Sequence, residues 1–221
     1  VVPTCVFIWF CSTRFESFNF NSCPIFSLLV FVLRIISATA ATEASASPLN
    51  PIVFILKRSS ALFSLDVDGI DYWILKELPR NFSKIAIIEF NSTFGSEKEV
   101  TVPYKENFDR SKYHYSNLCY GASLKAINNI MKKKGFIFIG TNLHRINAFF
   151  VSKKYISKIG LRIPKNKELK KYVDSNRRES RSKNNLLNYL SGDKKIQIIK
   201  DCEIIDLSKK APKRFKIKDI F

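Results

Sequence analysis

The stretch ALFSLDVDGIDYWILKELP, residues 61–79, decides the fold. Its opening residues are apolar or small and lead into acids and a glycine, which predicts a buried strand that ends in a loop. Residues 72–78 lie between Asp71 and Pro79, so we predict a helix there, with Asp71 as its N-cap and Pro79 as its stop. A strand, a loop and a helix in this order are typical of α/β proteins.

The segments that follow repeat this order of elements. Residues 84–90 (KIAIIEF) predict a second buried strand, and residues 96–120 a long polar loop with several aromatic side chains. The amphipathic spacing of residues 123–134 predicts a helix. Residues 136–139 and 148–151 predict two further strands around a turn. The whole order predicts an α/β fold with a doubly wound sheet and a terminal antiparallel hairpin.

Charge is distributed unevenly along the chain. The 221 residues include 37 Lys and Arg against 19 Asp and Glu, a formal net charge of +18. Residues 62–152 hold 12 basic and 9 acidic side chains, whereas residues 153–221 hold 21 and 8. We therefore place a composition boundary near Tyr155 and predict a basic C-terminal extension over residues 156–221.

Composition excludes several classes of protein. Hydrophobic residues make up 46% of the chain, which is too many for a chain that is disordered throughout. The five Cys residues contain no closely spaced pair, which argues against a disulfide scaffold or a zinc module. Cys119 and Cys202 have no basic partner nearby in the sequence and are predicted to be ordinary thiols.

Residues 1–48 differ from the rest of the chain. They show no clean period of 2 or 3.6, and the apolar run at residues 24–36 is interrupted by Ser27 and Arg34. This run and the small residues after it resemble the core of a signal peptide, but no basic segment precedes them. A membrane span needs about 20 uninterrupted apolar residues. We expect a leader that is foreign to the domain, on an incomplete or wrongly joined sequence, and a cytoplasmic protein if the leader is not a native targeting segment.

Polar residues gather where the predicted strands end. Asp66 and Asp68 follow the first strand, Glu89 and Asn91 the second, and Asn142 the third. Because ligands of such sheets bind beyond the carboxyl ends of the strands, we expect these groups to converge in one cleft. Such a cluster can hold a divalent cation, with Asp68 and Glu89 as ligands, bind ribose hydroxyls or supply a general base. The alternative is that the acids cap helices and are solvated.

The D-x-D-G box at residues 66–69 permits other interpretations. An EF-hand calcium loop is excluded, because Ile70 and Asp71 stand where an oxygen ligand and a glycine are required. The box also resembles the first motif of haloacid-dehalogenase-type phosphatases, in which the first Asp is the nucleophile and the second the acid. Thr normally follows the glycine in those enzymes, whereas this chain has Ile70. The metal-binding D-x-D box of nucleotide-sugar glycosyltransferases is a third alternative.

A longer pattern resembles a single family. Five segments match in the same order over about 90 residues: LFSLDVDGIDYWILKEL (62–78), IAIIEFNSTFG (85–95), VTVPY (100–104), YGASLKAINNIMKKKGFIFIGTN (120–142) and NAFFV (147–151). Together they resemble the C-terminal half of FkbM-type S-adenosylmethionine-dependent methyltransferases. The resemblance implies that residues 49–155 form a partial class I (Rossmann-like) methyltransferase domain, with strands 4 to 7 of its sheet.

The resemblance also implies an activity and a cofactor. We expect transfer of a methyl group from S-adenosylmethionine to a hydroxyl of a small molecule or sugar, with Asp66 and Asp68 as catalytic residues and Asp66 also at the cofactor. The family binds its cofactor through a glycine-rich turn, but no glycine precedes Gly69 and no G-x-G occurs in the chain. We therefore expect that this polypeptide alone does not bind the cofactor and is inactive.

The acceptor would be bound by polar and aromatic groups around the cleft. These predicted substrate-binding residues are Asp71, Glu89, Asn91, His114, Tyr115 and Asn142. His114 and Tyr115 belong to an aromatic loop that we expect to cover the acceptor as a lid. The alternative is a loop that packs its own aromatic side chains.

The basic extension supports a second functional hypothesis, a non-enzymatic binding protein. Basic clusters at residues 177–183 and 209–214 are of the kind that contact nucleic acid or an anionic membrane. No regular interleaving of aromatic residues indicates a nucleic-acid platform, and a solvated tail is the alternative. Residues 196–199 predict a short strand within this extension.

Overall fold

The computed structural model describes residues 5–9, 60–158, 163–173, 178–209 and 211–221. Apart from residues 5–9, the predicted leader lies outside the described residues, and so does its apolar run at residues 24–36.

The described residues form strands and helices in the order strand, strand, helix, strand along the first part of the chain. The strands are β1 (Cys5–Trp9), β2 (Ser60–Asp66), β3 (Ser83–Glu89), β4 (Val100–Thr101), β5 (Phe136–Thr141), β6 (Asn147–Ser152), β7 (Arg178–Arg181), β8 (Leu187–Leu190), β9 (Glu203–Asp206) and β10 (Lys213–Lys216). The α-helices are α1 (Asp71–Glu77), α2 (Arg110–Tyr113), α3 (Leu124–Lys133) and α4 (Lys194–Ile198). Short 3-10 helices cover Ser92–Phe94, Ile156–Lys158, Asn166–Tyr172 and Ile217–Asp219.

The main sheet has five strands in the order β1-β2-β3-β6-β5. Strands β1, β2 and β3 are parallel, whereas β6 runs antiparallel to both β3 and β5. The predicted mixed α/β character and the terminal antiparallel hairpin are confirmed. Cys5–Trp9, which belong to the predicted leader, pair with β2 along their whole length.

One face of this sheet forms the main core with α1 and α3. Strand alternation places Phe63 and Leu65 of β2 and Ile88 of β3 on this face, and all three are fully buried. Helix α3 begins where the Ser123 hydroxyl accepts a hydrogen bond from the backbone of Ala126. This local chemistry confirms the predicted helix. The opposite face carries Asp66 and Glu89 at the ends of their strands.

A second core lies beside the first. It is enclosed by the three-stranded antiparallel sheet β10-β9-β4 and by the loops around it. Its fully buried members are Phe94, Val100, Val102, Leu118, Cys119, Ile199, Ile204 and Ile217. The predicted polar loop over residues 96–120 therefore contains a strand and buried apolar residues. Residues 196–199 were predicted to form a strand, but Lys194–Ile198 form a helix.

The basic extension is packed against the earlier part of the chain. Strand β9 pairs with β4, placing Asp206 opposite Val100 and Ile205 opposite Thr101. The composition boundary near Tyr155 is therefore not a boundary of packing. Within the described ranges, no helix combines the length and the apolar character that crossing a bilayer requires.

Candidate functional site

Three carboxylates meet at the carboxyl ends of β2 and β3. Asp66 ends β2 and Glu89 ends β3, and the parallel register sets Leu65 opposite Ile88 immediately before them. Asp68 follows two residues after Asp66. One carboxylate oxygen from each of the three acids lies within 4.8 Å of the others. Glu89 is buried, and the two Asp side chains are partly buried. We refer to Asp66, Asp68 and Glu89 as the carboxylate cluster.

Arg110 brings a positive charge to this cluster. Its Nη1 donates a hydrogen bond to Oδ1 of Asp68 over 2.5 Å, and both side chains are mostly buried. The guanidinium also lies over the ring of Tyr120, with 5.4 Å between its Cζ and the ring centroid. Asp68 itself has φ +53°, a left-handed backbone conformation that turns the chain out of the sheet. No pattern in the sequence links Arg110 to Asp68, and it was not predicted as a site residue.

Asp71 supports the loop between β2 and α1 from inside. Its carboxylate accepts hydrogen bonds from the backbone N–H of Val67 at 3.1 Å and of Gly69 at 3.2 Å. The prediction of Asp71 as the N-cap is wrong, since Ile70 occupies that position and Asp71 is the first helical residue. The side chain is fully buried, and burial raises its pKa to about 7, with a smaller contribution from the charge of Asp66. Asp71 therefore shapes the loop that presents Asp68.

Gly69 makes room for an aromatic side chain in the same loop. A Cβ added at Gly69 would lie 2.3 Å from Cδ1 of Phe108, which is closer than atoms can approach. The carbonyl of Gly69 also accepts a hydrogen bond from the backbone N–H of Gly121 at 2.9 Å. The residues after β2 are thus held between Phe108 on one side and the segment before α3 on the other.

Asn91 connects the end of β3 to a distant loop. Its Nδ2 donates to the carbonyls of Leu118 and Tyr120 at 2.8 and 2.9 Å, and its Oδ1 accepts from the N–H of Thr93. The side chain is fully buried. Both amide donors are therefore used within the protein, and Asn91 positions the loop that carries Tyr120.

Asn142 belongs to the turn between β5 and β6. Its Oδ1 accepts hydrogen bonds from the backbone N–H of Ile146 at 3.0 Å and of Asn147 at 3.2 Å. Asn147 lies opposite Glu89 in the register of β6 and β3, so this turn borders the edge of the sheet where the cluster lies. The side chain of Asn142 stabilises the turn.

His114 and Tyr115 pack on one another after α2. Their ring centroids are 4.4 Å apart, and Nδ1 of His114 accepts a hydrogen bond from the backbone N–H of Ser116 and lies 2.7 Å from its hydroxyl. Burial lowers the pKa of His114, which favours the neutral imidazole. These contacts are local and correspond to the alternative in which the loop packs its own aromatic side chains.

The carboxylate oxygens of the cluster determine which ligands it can bind. Carboxylate oxygens accept hydrogen bonds from hydroxyl groups, attract a cationic group and ligate hard divalent cations. The positive charge of Arg110 offsets part of the negative charge at Asp68. The cluster and its surroundings therefore combine carboxylate hydrogen-bond acceptors with the guanidinium group of Arg110. This combination suits a ligand that carries several hydroxyl groups.

Comparisons of the chain with protein-family models, with curated proteins and with solved structures find no match.

Proposed function

We propose that this chain carries the acceptor side of an S-adenosylmethionine-dependent methyltransferase that acts on a hydroxyl group of a small molecule or sugar. The main observation in support of this proposal is that Asp66, Asp68 and Glu89 converge at the carboxyl ends of two parallel strands. Open α/β sheets bind their ligands at this edge. The resemblance of residues 62–151 to the FkbM-type family supports the choice of methyl transfer over other hydroxyl chemistry.

The three acids take different roles in this proposal. Asp68, which Arg110 holds in place, binds the acceptor through its carboxylate. Asp66 is the general base that removes the proton from the reacting hydroxyl. Glu89 is the most buried of the three and binds a neighbouring hydroxyl. Asp71, behind the loop, keeps Asp68 in its left-handed turn.

The fit to the cofactor is partial. S-adenosylmethionine, when bound, supplies a methyl group on a positively charged sulfur, and a carboxylate such as Asp66 suits both that charge and the ribose hydroxyls. The family's glycine-rich turn has no counterpart, because no glycine precedes Gly69. We therefore assign acceptor binding to the described cleft and expect no measurable affinity of the chain alone for S-adenosylmethionine. Micromolar binding in titration calorimetry would contradict that expectation.

Ligand-observed NMR tests the acceptor site directly. The purified chain is mixed with a panel of monosaccharides, polyols and catechols, and saturation transfer to each compound is measured. We expect transfer to at least one hydroxyl-rich compound and its loss in Asp66→Asn and Asp68→Asn. The matched control is Asp193→Asn, which removes the same charge at an exposed residue whose side chain makes no cap hydrogen bond.

Two results would contradict the proposal. One is an absence of saturation transfer to every compound in the panel by a folded wild-type chain. The other is equal loss of binding in Asp193→Asn and in the two cluster variants, because net charge rather than the cleft would then be responsible. Repeating the measurement with MgCl₂ tests the expected divalent cation, which would strengthen binding only if the cluster ligates it.

A further inference from the structure

A small pocket opens beside the carboxylate cluster, on the segment that carries Arg110. Its volume is about 220 Å³, and it is lined by Lys105, Asn107, Phe108, Asp109, Lys112 and Tyr113. Pockets that enclose a whole drug-sized ligand measure roughly 300–1,000 Å³. This pocket therefore has room for one group of a ligand, and the rest of the ligand would extend beyond it. We call it the lysine pocket.

Two aromatic rings form the fixed part of the lysine pocket. The ring centroids of Phe108 and Tyr113 are 5.1 Å apart. The hydroxyl of Tyr113 donates a hydrogen bond to the carbonyl of Glu203 at 2.8 Å, which connects this ring to β9. Phe108 packs against Gly69 in the loop after β2. Because distant parts of the chain hold both rings, the pocket is already formed without a ligand.

The charged groups of the lysine pocket are mostly positive. Lys105 forms no ion pair among the described residues, and its Nζ lies 4.9 Å from the centroid of the Tyr113 ring. Lys112 lies 3.7 Å from Oδ2 of Asp109, whose other oxygen accepts hydrogen bonds from Ser111. The amide of Asn107 makes no hydrogen bond within the part of the chain that the structure describes. The pocket thus offers two ammonium groups and an amide donor against one carboxylate.

A phosphate group suits this set of donors. Lysine acts as a point charge that binds phosphate oxygens, whereas the planar fork of arginine suits the two oxygens of a carboxylate. The arginine of this segment, Arg110, is bound to Asp68. We propose that the lysine pocket is a phosphate subsite of the acceptor site, so that the acceptor is a phosphorylated sugar or polyol. This assignment of the acceptor rests on the proposed function.

The lysine pocket and the carboxylate cluster are close neighbours of opposite charge. Phe108 packs against Gly69, which directly follows Asp68, and Arg110 of the same segment binds Asp68. The carboxylates repel a phosphate group and the lysines attract it, so the ligand is oriented with its hydroxyl groups at the cluster. This orientation selects the hydroxyl that is presented to Asp66.

Inorganic phosphate tests the lysine pocket separately from the cluster. Sodium phosphate is titrated into the whole folded chain at about pH 8, where phosphate is mostly doubly charged, and backbone amide chemical shifts are followed by NMR. Sodium chloride keeps the ionic strength constant. We expect saturable shifts concentrated in residues 105–113. Shifts spread over the basic surface without saturation would overturn the proposal, and this wild-type measurement decides even if a variant fails to fold.

A double variant tests the two lysines. In Lys105→Gln/Lys112→Gln the dissociation constant for phosphate should rise about fivefold or more, because two exposed charge contacts are lost. The matched control is Lys84→Gln/Lys209→Gln, which removes two exposed lysines that also lie over aromatic rings. Equal affinities of the two double variants for phosphate would overturn the proposal, since net charge would then explain the binding.

Hexoses and their 6-phosphates test the link between the two sites. We titrate glucose, mannose and galactose beside the three phosphate esters, and expect at least one ester to bind about tenfold tighter than its parent sugar and than inorganic phosphate. Lys105→Gln/Lys112→Gln should remove this gain, and Asp66→Asn should weaken the sugar and its ester alike. Binding of neutral sugars at the cluster with no phosphate shifts at residues 105–113 would overturn the inference and leave the proposed function standing. Phosphate shifts at these residues with no effect of Asp66→Asn on any ester would overturn the place of the pocket in an acceptor site.

Discussion

The two cores of this protein are assembled in different ways. The main core joins consecutive segments, since β2, α1 and β3 follow one another and α3 leads directly into β5. The second core joins β4, which has only two residues and lies in the middle of the sequence, to the much later strand β9. Trp73 connects the cores, because its Nε1 donates to the carbonyl of Val102 at 2.9 Å. The carboxylate cluster depends on both, since β2, β3 and the loop after β2 supply the acids and the short helix α2 beside the second core supplies Arg110.

The largest expected effect tests whether the two cores unfold together. Ile88→Ala in the main core and Ile204→Ala in the second remove fully buried side chains, so each should lower the free energy of unfolding by about 2–5 kcal/mol. Urea denaturation followed by circular dichroism should show one shared transition for both variants. Ile85→Ala is the control, because Ile85 lies in the same strand as Ile88 but is 41% exposed, and it should cost less. A separate early transition in Ile204→Ala alone would show that the second core is an independent unit.

A somewhat smaller loss is expected where a single side chain joins the end of β3 to the loop of the second core. Asn91→Ala leaves the carbonyls of Leu118 and Tyr120 without their donor in a buried site, which should cost about 2–4 kcal/mol of stability. Chemical denaturation measures this loss. Asn142→Ala removes hydrogen bonds of similar length in a less buried turn and should cost about 1 kcal/mol. Equal losses of stability in the two variants would show that the hydrogen bonds of Asn91 stabilise the fold no more than those of Asn142 do.

An intermediate effect is expected at Gly69. Gly69→Ala forces a methyl group against the ring of Phe108 and should destabilise the protein by about 1–3 kcal/mol. The double variant with Phe108→Ala identifies the cause, because removing the ring should relieve most of the cost of the alanine at position 69. Thermal unfolding of the four proteins in this cycle gives the coupling. Additive effects would show that something other than the ring resists the new side chain.

The smallest effect concerns the pH dependence that Asp71 gives to the main core. Unfolded Asp71 loses its proton near pH 4, whereas folded Asp71 keeps it to about pH 7, so its contribution to stability falls as the pH rises between these values. From pH 5.5 to 6.5 the loss should be about 1 kcal/mol. Asp71→Asn should flatten this slope and keep one of the two backbone hydrogen bonds. Glu77→Gln, which removes the same charge at an exposed residue of the same helix, is the control.

Much of the main core could be predicted because its signals are local. The apolar residues of β3 and the Ser123 cap before α3 each lie within one segment. Strand alternation places Asp66 and Glu89 on one face of the sheet, and the parallel direction of β2 and β3 places them at one edge. These features led to the carboxylate cluster.

The second core could not be predicted because its signals are distant or ambiguous. A two-residue strand such as β4 is defined by pairing with distant segments, β9 and the residues before α3. Nothing near Arg110 indicates an ion pair with Asp68, 42 residues away. The apolar run at residues 196–199 is too short to distinguish a strand from a helix by periodicity. Asp71 has a side chain typical of a helix cap, but it is buried and accepts hydrogen bonds from the backbone of the loop before α1 instead.

The pairing of β4 with β9 has a consequence for the order in which the protein folds during synthesis. A ribosome adds about 5–20 residues per second, so roughly 5–20 s separate the synthesis of the two strands. During that interval Val100, Val102 and Leu118 have no completed sheet to pack against, although α3, β5 and β6 of the main core are all made before β9. The nascent chain therefore exposes an apolar surface that a chaperone would recognise until its last strands emerge.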